Sequence, residues 1–280
     1  LRPGRARRQH QSVHEREFHG RIFLLAAPLL AATSPVFAQD SDHDLAKKLN
    51  NPVASLVSVP LQFNYDCCYK PAGSDRVTLN IQPVMPFGVS QDWNLIVRTI
   101  LPVIEQPSTV TSGHASFGFG DTTQSFFLSP TSEAGGFIWA LGPAFLWPTA
   151  TDLGFASRKW GAGPTGLLLK QEAGWTVGIL ANHIWSYSGE REYPNLSNTF
   201  LQPFLSYTWP DTTNLGINTE STYNWKNEQW MVPINLTVGH LFALGGQRVN
   251  FTLGGRYVPE RPHDGASWGL RFVMTFLFPK

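Results

Sequence analysis

From residue 53 onward the chain alternates between large apolar and smaller or polar side chains, in segments of about ten residues parted by Gly, Pro, Asn, Asp and Ser. The last segment is the plainest. Trp268, Leu270, Phe272, Met274, Phe276 and Phe278 take every second position, with Gly269, Arg271, Val273, Thr275 and Leu277 between them. A period of two belongs to an extended strand, whose successive side chains point to opposite faces. Earlier segments agree. Trp230, Val232, Ile234, Leu236 and Val238 oppose Gln229, Met231, Pro233, Asn235 and Thr237, and Val77, Leu79 and Ile81 oppose Thr78, Asn80 and Gln82. The same pattern places Leu215, Ile217, Thr219, Ser221, Tyr223 and Trp225 against Asn214, Gly216, Asn218, Glu220, Thr222 and Asn224, and Val249, Phe251, Leu253 and Tyr257 against Asn250, Thr252 and Arg256.

Twelve such segments are readable: 53–65, 76–86, 92–104, 115–129, 136–147, 159–170, 174–187, 198–209, 213–225, 229–242, 248–258 and 267–278. Each is long enough for the roughly 9–11 residues with which a tilted strand crosses a bilayer. An apolar face needs an apolar partner, which is a second sheet in a soluble sandwich and lipid in a membrane barrel. The tryptophans favour lipid. Trp93, Trp139, Trp147, Trp160, Trp175, Trp185, Trp209, Trp225, Trp230 and Trp268 gather at segment ends, the depth where an apolar ring and a polar N–H are both satisfied. The pattern predicts an all-β fold, an antiparallel transmembrane β-barrel of about twelve strands. A soluble sandwich or lipocalin-like barrel is the competing fold, opposed by the aromatic girdle.

Two features disturb the pattern. Pro60, Pro83, Pro102, Pro143, Pro164, Pro203 and Pro233 lie inside strand segments, where a missing N–H breaks the ladder, so bulges are expected at some of them. Segments 92–104 and 136–147 are apolar on both faces, which makes part of the lumen greasy.

Residues 1–38 read differently. Arg2, Arg5, Arg7, Arg8, Arg16 and Arg21 precede an apolar stretch from Ile22 to Ala32, and Val36-Phe37-Ala38 offers small residues at a cleavage site. That is a secretory signal peptide, with a short anchor helix as the alternative. Its removal lowers Lys+Arg from 21 to 15 and Asp+Glu from 20 to 18, turning a formal charge of +1 into −3. Residues 39–52 are polar, and 44–50 can form one or two helical turns with Asp44 near the N-cap, as a periplasmic helix or a plug. The domain reading is 1–38 signal, 39–52 polar segment and 53–280 barrel.

Charged residues make up only 15% of the chain and aromatics 13%, against roughly 25% charge in average soluble domains. The near-neutral charge leaves no nucleic-acid footprint. Downstream of residue 38 no apolar run approaches the roughly 20 residues of a spanning helix. Adjacent Cys67 and Cys68 either bond to each other or stay reduced, and cannot staple distant segments.

No catalytic constellation stands out, and neither a cofactor nor a metal is expected. His183 lies near Ser186 and Ser188, but a separation of three puts His183 and Ser186 on opposite strand faces. His114, His240 and His263 lack metal-ligand spacing. The glycines between Gly161 and Gly166 sit in an extended segment with no helix after it, unlike a dinucleotide loop. The inward polar residues are the candidates for a solute path: Gln62, Asn80, Gln82, Arg98, Asn218, Glu220, Asn235, Arg256 and Arg271. Internal salt bridges and hydrogen bonds filling a narrow barrel are their purely structural reading.

Two resemblances sharpen the expectation. Ser267, Gly269, Phe272 and Met274 follow the spacing of the C-terminal recognition signal of bacterial outer-membrane barrels, although Pro279-Lys280 follow the final aromatic Phe278. The resemblance implies the barrel-assembly machinery as a partner. The segments Leu45–Leu56, Asn80–Val84, Asp92–Val103, Gly142–Asp152, Asn182–Trp185, Phe200–Tyr207, Asn218–Tyr223 and Val232–Leu236 resemble outer-membrane proteins grouped with a MetA-type phenol-degradation pathway and often labelled transporters. That likeness implies a barrel in outer-membrane lipid that passes small hydrophobic or aromatic solutes, with no enzymatic step. A lipid hydrolase using His183 and a nearby Ser, and a closed structural barrel, are the alternatives. A third polar group, from another strand, reaching His183 at the outer lipid face would favour the hydrolase.

Overall fold

The alternating segments pair edge to edge, each antiparallel to its neighbours, until the last meets the first. The computed structural model describes residues 41–70, 73–106 and 116–279. The signal-peptide reading of 1–38, residues 39–40 of the polar segment, His114 and the first residue of segment 115–129 lie outside the described residues.

The strands are β1 (Val57–Tyr69), β2 (Ser74–Ile81), β3 (Val84–Gly88), β4 (Trp93–Gln106) and β5 (Ser116–Phe119). They continue as β6 (Thr122–Pro130), β7 (Phe137–Trp147), β8 (Lys159–Glu172), β9 (Trp175–Gly189) and β10 (Ser197–Thr208). The last five are β11 (Thr213–Thr219), β12 (Ser221–Asn224), β13 (Gln229–Leu244), β14 (Gln247–Glu260) and β15 (Trp268–Phe278). Three predicted segments are each broken in two, so β2 and β3, β5 and β6, and β11 and β12 share one position apiece. Twelve positions close into a barrel, sealed by β1 against β15 from Val57↔Phe278 to Cys67↔Trp268. Closure leaves no free sheet edge, which is what allows strands to cross a membrane.

Each break faces a proline. Pro83 lies between β2 and β3, where Gln82 N–H donates to the Pro60 carbonyl (2.9 Å) and Thr99 N–H to that of Pro83 (3.1 Å). Gly120, between β5 and β6, donates to the Pro102 carbonyl (2.8 Å). Glu220, between β11 and β12, donates to the Pro233 carbonyl (3.3 Å), and the β13–β14 register shifts between Val232 and Ile234. A proline accepts but cannot return the second bond of the pair, so the neighbouring strand loses its ladder there. Pro143 and Pro164 instead face each other across β7 and β8, and Pro203 opposes Ile179, without interrupting a strand.

The two ends of the barrel differ. Connections of two to six residues close one end, including Gly245-Gly246, whose positive φ values (55° and 89°) suit a tight hairpin turn. The other end carries connections of four to eleven residues. Trp93, Trp139, Trp175 and Trp209 ring the short-turn end, and the other six tryptophans ring the long-loop end, forming two girdles. Between them Leu141, Leu168, Ile179, Leu236, Leu253 and Leu270 point outward and are exposed. At the long-loop end of β1, Cys67 and Cys68 are disulfide-bonded to each other, where the β1–β2 register shifts between Asp66 and Tyr69.

The first predicted strand begins at Val57 rather than 53, because the residues before it lie inside the barrel. Helix α1 (Asp42–Leu49) is capped by Ser41, not by Asp44 as the sequence suggests. Ser41 Oγ accepts from the Asp44 N–H (3.1 Å) and donates to the Asp44 carboxylate (2.6 Å), so Asp44 completes the cap from the third helical position. Leu45 and Ala46 bury against the inward-facing Leu241 and Leu277 at the short-turn end, together with Ala54 and Leu56. Fully burying a leucine contributes about 1.5–3 kcal/mol. Val53 then packs against Ile96, Phe127, Ala140, Leu167, Leu169 and Leu180. The two segments that read as apolar on both faces therefore have a partner on each side: lipid outside, the N-terminal plug inside.

Candidate functional site

Strand parity sends the polar residues of β1, β2, β4, β11 and β13–β15 to one side, and barrel closure makes that side a common interior. The strongest contact there is ionic. Arg271 donates from Nη1 and Nη2 to the two carboxylate oxygens of Glu220 (2.8 and 2.7 Å) and from Nε to Asn64 Oδ1 (2.8 Å). A guanidinium held on both edges in this way has little freedom left. Beside it Arg256 faces Asp66 at 3.5 Å, with both side chains nearly buried. Arg98 donates to Gln82 Oε1 (3.0 Å), and Asn235 to Asn218 Oδ1 (2.8 Å).

Three cavities succeed one another along this interior. A chamber of about 620 Å³ opens at the long-loop end beneath Tyr69, Lys70, Arg261 and Asp264 and reaches down to Asn80 and Glu220. Asn80 and Glu220 also line a middle cavity of about 310 Å³, together with Ile100 and, from β7, β9 and β10, Leu146, Leu180, Asn182, Ile184, Asn198 and Phe200. Gln82, Arg98 and Gln202 separate that cavity from a third of about 240 Å³, floored by residues 48–52 of the plug with Ala54 and Leu56. The plug is tied to the wall by Asp42 with Arg248 (2.6 Å), Asn50 with Thr208 (2.9 Å), Gln171 with the Lys47 carbonyl (2.9 Å) and Asn94 with Ser55 (3.2 Å).

The nine residues singled out in the sequence all fall on interior positions, but in two roles. Gln62, Asn80, Gln82, Arg98, Glu220 and Arg256 border these cavities. Asn218, Asn235 and Arg271 border none of the three: Asn235 Nδ2 donates to Asn218 Oδ1, Arg271 is held by Asn64 and Glu220, and the buried Asn235 Oδ1 has no hydrogen-bond partner. Sequence reasoning passed over Asn64, Asp66, Asn182, Asn198 and Gln202. The same alternation would have found them, since Asn182, Asn198 and Gln202 share parity with the buried Leu180 and with Phe200.

A second polar group faces the opposite way. His183 sits on the outer face within the long-loop girdle, 4.0 Å from the Trp185 ring centroid. Its Nδ1 lies 2.7 Å from Thr199 Oγ1 and its Nε2 3.3 Å from Ser197 Oγ, both on β10. Thr199 Oγ1 also accepts from Trp225 Nε1 (2.8 Å). Ser186 has the opposite parity, and its hydroxyl takes the Leu196 N–H (2.9 Å). Across from His183, Gly163 allows the backbones to touch: a Cβ there would stand 1.7 Å from the His183 carbonyl oxygen. The glycine-rich stretch 161–166 is thus a strand under close approach, with no phosphate loop in it. Among the described residues no group of three His, Cys, Asp or Glu side chains could hold a metal, and no helix is long and apolar enough to cross a membrane.

No protein-family model matches the chain, and no curated protein matches its sequence. Solved structures do. Outer membrane phospholipase A from Escherichia coli aligns over 86% of this chain and 99% of its own, with 14% identity and a TM-score of 0.47, too remote to carry an argument. An outer membrane channel from Pseudomonas putida F1 aligns over 80% of this chain and 96% of its own, with 13% identity and a TM-score of 0.59. At that identity the likeness concerns the fold, and this chain has the twelve-stranded antiparallel barrel fold of outer-membrane proteins.

Proposed function

We propose that this chain is an outer-membrane channel through which small apolar or aromatic solutes pass without chemical change. The observation that carries the reading is the succession of three cavities from the long-loop mouth to the plug. Their walls are amphipathic, with amides and charged groups interspersed among Ile100, Leu180, Ile184 and Phe200. A small apolar molecule with one polar group finds a match for both. In this reading the signal peptide delivers the chain for export, and the last strand is read by the barrel-assembly machinery. The outward belt sits in outer-membrane lipid with the short turns on the periplasmic side. The likeness of Asp92–Val103 and Gly142–Asp152 to the phenol-degradation group supports aromatic solutes.

Proteoliposomes test this directly. Phenol is expected to equilibrate into vesicles carrying the protein severalfold faster than into empty ones, and glucose no faster. Equal rates with and without protein would count against it, and would favour a closed structural barrel.

Lipid hydrolysis is a second reading with one observation behind it. Ser197, His183 and Thr199 form a hydrogen-bonded row at the lipid face, with the serine–histidine distance near that of an unliganded nucleophile–base pair. The group on Nδ1 is a hydroxyl already shared with Trp225, which stabilises an imidazolium less than a carboxylate does. Fatty-acid release from phospholipid by the intact chain, abolished in His183→Ala and Ser197→Ala, would establish hydrolysis. No release is expected, with phenol flux unaltered in both variants.

A further inference from the structure

The charges inside the barrel do not balance locally. Arg256 and Asp66 border the long-loop chamber together with Lys70, Arg76, Arg261 and Asp264, whereas Arg98 and Glu220 are the charged residues that line the middle cavity. Asp66 is matched to Arg256, and Glu220 is clasped by Arg271 through two hydrogen bonds. Arg98 is left over. Its one hydrogen bond goes to the neutral Gln82, and among the described residues no carboxylate lies within 4.0 Å of it. Arg98 also borders the middle and lower cavities at once, so its remaining donors have open space in front of them. Glu220 borders the same cavity and attracts Arg98 at longer range, but its carboxylate is already clasped by Arg271. A cation removed from bulk water with no ion-pair partner of its own is costly, and an anion that arrives beside it recovers much of that cost.

What surrounds Arg98 restricts the anion. Ile100 lies beside Arg98 on β4, and across the middle cavity stand Leu146, Leu180, Ile184 and Phe200, interleaved with the amides of Asn182 and Asn198. An inorganic anion would meet the guanidinium and a few amides but would leave the apolar side chains there unused. A carboxylate attached to an apolar body uses both, its head taking the two-pronged guanidinium and its body the side chains of Leu180, Ile184 and Phe200. About 310 Å³ lies at the lower end of ligand-cavity volumes, which suits a single ring or a short chain.

We propose that Arg98 anchors a binding site for small apolar monocarboxylates, of the benzoate type, at the middle of the lumen. This rests on the channel reading, which it deepens by naming the charged group of the solute. Glu220 lines the same cavity and, held by Arg271, keeps a second anion from binding on its side, so the site takes one carboxylate. Gln82 orients the guanidinium without neutralising it.

The test is calorimetric titration of the refolded full-length protein in detergent with benzoate and with benzamide, its neutral counterpart of similar shape. The intact protein is expected to bind benzoate about tenfold or more tightly than benzamide. Arg98→Gln should bring the two to equal affinity, and Arg98→Lys should keep the preference for benzoate while weakening it, since an ammonium has charge but no fork. Heat-modified migration on gels reports folding of each variant, and Arg98→Lys carries the test if Arg98→Gln does not fold. Equal affinities for benzoate and benzamide in the intact protein, or no binding of either, overturn the proposal, as does an unchanged preference in Arg98→Gln. Binding in detergent needs no flux. Phenol flux without benzoate preference therefore removes this site alone, and benzoate preference without flux removes the channel.

Discussion

Arg271 and Glu220 meet across the barrel interior with two hydrogen bonds of 2.8 and 2.7 Å, although β13 and β14 stand between the strand positions that carry them. Glu220 occupies the gap between β11 and β12, where Pro233 has removed the ladder partner, so a proline-induced break and an interior ion pair coincide.

This pair should behave as a unit. Glu220→Gln leaves a buried guanidinium without its carboxylate and is expected to cost on the order of 3 kcal/mol. Replacing both residues by Met should cost less than either single change. Urea unfolding of vesicle-inserted protein measures this, and additive losses would mean that the two groups act independently.

The plug has a pH-dependent cap. The Ser41 hydroxyl holds the Asp44 carboxyl below its ordinary range, with smaller help from His43, Lys47 and Lys48. A carboxyl lowered on folding stabilises the helix fully above its ordinary titration range and ceases to do so as pH falls through its lowered value. Amide exchange in α1, compared with exchange in β14, should therefore accelerate as the solution is acidified. Ser41→Ala should raise α1 exchange roughly fivefold at neutral pH and flatten the acid dependence. Exchange in α1 that ignores both pH and Ser41 would show that the cap does not hold the plug.

Two glycines should respond in opposite ways. Gly163→Ala places a methyl group where the His183 carbonyl oxygen already stands, so β8 and β9 must part. A loss of about 3 kcal/mol or failure to assemble is expected. Gly255→Ala meets nothing within 4 Å on the outer face and should be neutral within about 0.5 kcal/mol. Folding yield in lipid vesicles separates the two.

Much of this architecture is legible in the residues, and the limits of that legibility have physical causes. The outward rows of β13, β14 and β15 can be read because every barrel strand has lipid on one side and interior on the other. That contrast imposes a period of two whatever the neighbours are. The prolines are equally visible, yet the strand that breaks is the neighbour of Pro102 or Pro233, and naming it requires the register. Register also hides the contacts that define the sites. Ser197 reaches His183 only because Thr199 pairs with His183 across β9 and β10, and Arg271 reaches Glu220 only through the stagger of the closed sheet. The extent of the plug is hidden for another reason: residues 53–56 read as the start of a strand until the apolar cluster around Val53 shows what they bury against.

Single-channel conductance in planar bilayers, with insertion verified independently, tests the solute path most directly. The intact protein should give small ohmic steps of reproducible size. Leu45→Asp, which sets a charge against Leu241 and Leu277 and expels the helix, should give clearly larger ones. Silence from both proteins once inserted would contradict a path through this interior and leave a sealed barrel in its place.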